Sequence, residues 1–127
     1  MILLDGAGYD IPRQIGQAML PWLRAMYTNV FTEDEVTQRD ASPITHVARG
    51  KGIPPFLILH VASRRDSKAQ SEGLAARLRE AGVEAKGVPA EGKTHLTIIR
   101  ELGEPDDAPT EAVFEFLRSQ SGKPGTR

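Results

Sequence analysis

Cysteine is absent from the 127-residue chain, which excludes disulfide scaffolds, thiolate metal sites and thiol catalysis together. Any nucleophile is therefore a hydroxyl, a carboxylate, an amine or water. Long apolar runs are also missing. Met1 to Leu4 and Pro54 to Leu59 are the longest, far short of the roughly 20 residues that span a bilayer. The first has neither a basic flank nor a cleavage site, so no secretory leader is expected. Charge of one sign is lacking too: 16 Lys and Arg stand against 17 Asp and Glu, a formal charge of -1. That balance gives no attraction to nucleic acid or to an anionic membrane, and neither is expected as a partner. The expectation is a soluble, cytoplasmic protein.

What is present argues for an ordinary folded domain. Apolar residues make up 39% of the chain and charged residues 26%, which excludes a mostly disordered chain. At 13.9 kDa folding takes the accessible surface from about 20,000 Å² to about 6,700 Å², enough for one core and hence one domain. No internal repeat or low-complexity segment interrupts it.

Periodicity predicts strands alternating with helices. Ile2 to Leu4 is a continuous apolar run stopped by Asp5, Gly6 and Gly8, the signature of a strand buried on both faces. A chain that opens at full hydrophobicity carries the expectation of something upstream. Between Pro12 and Phe31 the positions Ile15, Ala18, Met19, Leu23 and Met26 recur at helical steps, predicting an amphipathic helix interrupted at Pro21, with Trp22 and Tyr27 widening its buried face. Thr32 to Arg39 reads as a further helix start, and Ser42-Pro43 as an extended or turn segment.

Phe56 to Val61 reads as a second strand buried on both faces. Asp66 or Ser67 is placed to cap the next helix, Leu74, Ala75, Leu78 and Ala81 form its inner stripe, and Gly82 stops it. Val83 to Val88 is the predicted third strand. Pro109 opens a last helix with Val113, Phe116 and Leu117 facing inward, and residues 119–127 read as a polar, mobile tail beyond a domain of residues 1–118. The alternation implies an α/β fold, a three-stranded parallel sheet with flanking helices and right-handed crossovers.

Candidate chemistry is sparse. Gly6-Ala7-Gly8 lacks the third glycine of a dinucleotide loop, because Ile11 holds that place, and Gly50 to Gly52 lacks the spacing of a phosphate loop. His46, His60 and His95 show no metal-ligand spacing, so neither a metal nor a cofactor is expected. His60, in an apolar strand, reads as a hydrogen-bonded core residue. His95 follows the third strand, where a parallel sheet presents working residues, and an imidazole there can act as a general base. The loop after the second strand, Ser63 to Asp66, reaches the same edge, so Asp66 is a candidate to orient that imidazole. The bland alternative makes Asp66 an N-cap and His95 a surface residue.

Pro54-Pro55-Phe56-Leu57-Ile58-Leu59-His60, then Gln70-Ser71, Leu78 to Val83, Gly92-Lys93-Thr94-His95 and Val113 to Leu117 together resemble the C-terminal portion of an α/β-hydrolase. The resemblance is to the esterase and lipase group that includes feruloyl-esterase-like and kynurenine-formamidase-like enzymes. It also takes in Leu3-Leu4-Asp5-Gly6 and Ser42-Pro43-Ile44. It implies that the three strands are the last three of a hydrolase sheet, that acid precedes histidine in the chain, and that the substrate is a small ester or amide.

Two departures qualify it. The family's Gly-x-Ser-x-Gly elbow, which in the family precedes the strand at which this chain begins, occurs nowhere. The family's acid position, counted from His60, falls on Arg64, and counted from Gln70 it falls on Ser63. Asp66 is the nearest replacement, and Asp5 or Asp10, after the first strand, is the second because the fold also carries its acid there. The resemblance thus implies the histidine and acid of a hydrolase without its nucleophile, or an inactive remnant that serves as a binding or oligomerisation module. The first strand is expected to be covered by a second copy or by a partner chain.

Overall fold

The computed structural model describes residues 1–122. Three parallel strands, β1 (Ile2–Leu4), β2 (Phe56–Val61) and β3 (Ala85–Ala90), form one sheet in the order β1-β2-β3. Its register pairs Leu3 with Ile58 and His60 with Pro89. Between β1 and β2 lie α1 (Ile11–Gln17), α2 (Pro21–Phe31), α3 (Glu35–Asp40) and a 3-10 turn at Pro43–His46. The connection to β3 is α4 (Arg65–Glu80), and α5 (Thr97–Arg100) and α6 (Ala108–Ser121) follow. This is the mixed α/β architecture that the alternation of elements implied.

β2 is apolar at every position but His60 because both of its faces are covered. Ile58 packs with Leu74, Ala75 and Leu78 of α4, whereas Leu57, Leu59 and Val61 pack on the other face with Ile98 and Phe116. The inner stripe of α4 is therefore the one its spacing predicted. β1, at the sheet edge, is only half-buried, because it has a neighbour on one side alone.

β3 begins two residues later than expected, and the end of α4 explains why. Gly82 adopts φ +80, its N–H donates to Arg79 O at 2.9 Å, and Val83 N–H donates to Leu78 O at 2.9 Å. That is a Schellman stop, which uses Val83 to close the helix before the strand can start.

Four other expectations change. Asp66 does not cap α4, whose N-cap is Arg64 with no side-chain hydrogen bond. α2 buries none of its residues fully, and Trp22 is 64% exposed, because its contact with α1, where Gln14 Nε2 donates to Tyr27 Oη, covers only part of the stripe that its periodicity draws. Leu117 is exposed while Phe116 is buried. α6 also runs through Ser121, so the first part of the expected tail is helical; its remainder, 123–127, lies outside the described residues. Among those described, no helix is long and apolar enough to cross a membrane.

Candidate acid and base site

The C-terminal ends of the three strands bring together Asp5, the Arg64 to Ser67 turn and His95. Asp5 ends β1, with its N–H donating to Leu59 O at 2.7 Å and its backbone at φ 45. Aspartate tolerates this left-handed geometry better than most residues. The turn aims the carboxylate at the start of α4, and its side chain is fully buried.

Every acceptor direction of that carboxylate is used. Oδ1 accepts from Val61 N–H at 2.9 Å and from Ser67 Oγ at 2.5 Å. Oδ2 accepts from Arg64 Nη1 at 2.5 Å and faces His95 Nδ1 at 2.8 Å. Burial pushes the Asp5 carboxyl up, but the hydrogen bonds from Ser67, Val61, His95 and Arg64 together outweigh it and hold the group below the ordinary carboxylate range. Burial, reinforced by the Asp5 charge, pushes the neighbouring Tyr9 phenol up.

His95 lies between β3 and α5, and its side chain is 54% exposed. Its loop is held from both sides. Thr94 N–H donates to Thr97 Oγ1 at 2.8 Å and Thr97 N–H returns a bond to Thr94 Oγ1 at 3.2 Å. Lys93, two residues before His95, pairs with Glu101 at 2.5 Å and with the buried Asp107. With Nδ1 against a carboxylate, the neutral ring carries its proton there and leaves Nε2 as the free base.

The pairing expected between Asp66 and His95 is not the one made. Asp66 Oδ2 takes the other arm of Arg64, Nη2, at 3.2 Å, while Asp5 holds the imidazole. Arg64, which occupies the position where the resemblance puts the acid, is itself bound to the carboxylate that faces the histidine. Asp10, the remaining candidate, caps α1 by accepting from Arg13 N–H at 3.2 Å. Its backbone is clamped by the Gln70 side chain through bonds of 2.7 and 3.0 Å.

No serine hydroxyl contacts His95 among the described residues. Ser67 Oγ is committed to Asp5, and Ser42 Oγ accepts from Ile11 N–H and donates to Gln38 O. His60 is buried as expected but not hydrogen-bonded: neither ring nitrogen has a partner among the described residues, and burial pushes its pKa down. No group of three His, Asp or Glu side chains is placed to hold a metal among those residues. A groove of about 740 Å³, lined by Ala18, Met19, Leu20, Leu23, Arg65 and Asp66, meets the cluster at Arg65 and Asp66, while Asp5 and His95 do not line it. Comparison with known protein families, with curated proteins and with solved structures found no match to this chain.

Proposed function

We propose that the chain supplies the acid and the base of a carboxylic ester or amide hydrolase site, with Asp5 as acid and His95 as base, and that the nucleophilic serine comes from outside residues 1–127. The observation that carries this reading is the 2.8 Å contact between His95 Nδ1 and a buried, fully hydrogen-bonded carboxylate, in an imidazole whose side chain is half-exposed.

In such a site His95 Nε2 takes the proton of the serine hydroxyl as its oxygen attacks the acyl carbon. Asp5 holds the resulting imidazolium, and Nε2 then returns the proton to the departing alkoxide or amine. The serine's place is beyond β1. Met1 O and Asp5 N–H bond to β2, so by parallel alternation the backbone groups of Ile2 and Leu4 point away from the sheet, free to receive a strand that ends at the same edge.

A second reading, a binding or oligomerisation module without catalysis, is favoured by α2, whose Trp22, Met26 and Val30 are exposed. Reaction with 4-nitrophenyl acetate and with a serine-directed fluorophosphonate separates the two. The first reading predicts slow acylation of the chain alone at His95, no phosphonate labelling, and turnover once a strand bearing Gly-x-Ser-x-Gly is co-expressed. Acylation that survives His95→Ala contradicts it, as does stoichiometric labelling of Ser42, Ser63, Ser67 or Ser71.

A further inference from the structure

Arg64 has a place in the cluster that an acid and base pair alone does not require. Its Nη1 lies 2.5 Å from Asp5 Oδ2, the oxygen that faces His95, and 3.2 Å from His95 Nδ1 itself. Guanidinium and a protonated Nδ1 are both donors, so the short approach between them is a crowding of two cations whenever the ring is charged, not a bond. Its Nη2 reaches outward to Asp66 at 3.2 Å. The guanidinium is one-third exposed, Asp5 is not exposed at all, and Asp66 is two-fifths exposed.

We propose that Arg64 is a positioning residue that sets the strength of the Asp5 and His95 pair, with Asp66 as its counterweight. The proposal rests on the reading of His95 as the base. Arg64 neutralises the Asp5 charge that would otherwise support an imidazolium. Asp66 draws one arm of the guanidinium toward solvent and offsets part of its charge. In a bare aspartate and histidine pair the carboxylate carries a full charge toward the ring; here the ring faces a carboxylate already matched by a cation. The other charged groups around the ring do not change this balance. Lys93, on the same loop, is matched by Glu101 and Asp107, and Tyr9, beside Asp5, is neutral with its phenol pushed up.

The test is the pH profile of 4-nitrophenyl acetate reacting with the full chain. Its acyl group passes to His95 Nε2 as 4-nitrophenolate leaves, and water then hydrolyses the acylimidazole to acetate. Removing the cation makes the ring a stronger base and a better nucleophile. Arg64→Gln is therefore expected to raise the plateau rate about threefold and to move the midpoint up by about one pH unit. Arg64→Lys, which keeps the charge, should leave the midpoint where it is. Asp66→Asn, at a partly exposed position that carries the test if Arg64→Gln fails to fold, should lower both.

A plateau and midpoint unmoved by Arg64→Gln and by Asp66→Asn, in a chain whose acylation is abolished by His95→Ala, overturns the role of Arg64 and leaves the base in place. Acylation unaffected by His95→Ala overturns the underlying reading itself.

Discussion

His95 Nδ1 lies 2.8 Å from Oδ2 of Asp5, a residue ninety positions earlier in the chain. The contact spans the whole sheet, from the end of its first strand to the loop after its last, and it requires β1, β2 and β3 to be in register. Loss of either side chain is thus informative about both fold and chemistry.

Asp5→Asn should destabilise the protein by about 2–4 kcal/mol at neutral pH, because a buried charge-assisted network loses its anion and leaves Arg64 with the partly exposed Asp66 alone. The folded Asp5 pKa is depressed, so its contribution is present above the unfolded pKa and is lost as pH falls through the folded one. Urea midpoints measured across the acid range should therefore converge for parent and variant at low pH. Parallel curves would show that the carboxylate is not held by this network.

Gly6→Ala should cost about 1–3 kcal/mol, the range for overpacking. A Cβ at Gly6 would stand 2.1 Å from Tyr9 Oη, so the Tyr9 ring has to leave its place beside Asp5. A double-mutant cycle with Tyr9→Ala checks this. The Gly6→Ala cost should largely vanish in the Tyr9→Ala background, and simple additivity would mean that the two positions do not meet.

Lys93→Met should loosen the His95 loop without unfolding the domain, because it strands the buried Asp107 and releases Glu101. Amide exchange in residues 93–97 should accelerate while that of β2 is unchanged. Equal protection of the loop in both proteins would assign the loop's order to the Thr94 and Thr97 bonds alone.

The outer backbone groups of Ile2 and Leu4 should be covered by another chain, or by a second copy in a two-fold contact. Sedimentation at tens of micromolar should show association, and amide exchange at Ile2 and Leu4 should slow with concentration. A clean monomer with fast exchange at these two residues would count against it.

The elements were legible in the sequence wherever local pattern and burial agree. β2 reads as a strand because its six residues suit a site covered on both faces, and α4 reads as a helix because Leu74, Ala75 and Leu78 share one covered stripe. α2 carries a comparable stripe, yet it stays exposed, because periodicity reports that a helix has an apolar face and not what lies against it. Of the proposed pair, His95 was legible in the sequence and Asp5 was less so. His95 follows from its place after the last strand. Asp66 looked nearer because it sits on the neighbouring loop, but the choice of Asp5 is made by a backbone turn at φ 45 and by the long reach of Arg64. Neither has a sequence signal beyond an aspartate placed directly after a strand, followed by glycine. Arg64 at the position expected for the acid was the one local hint that a carboxylate elsewhere required a partner.

The most direct test of the acid and base assignment is the tautomer of His95, read by ¹⁵N and ¹H NMR of the imidazole above its titration. The account predicts a ring with its proton on Nδ1, a downfield Nδ1 proton resonance protected by Asp5, and loss of that resonance in Asp5→Asn but not in Asp66→Asn. A ring protonated on Nε2, or an Nδ1 proton that survives Asp5→Asn and disappears in Asp66→Asn, would contradict it.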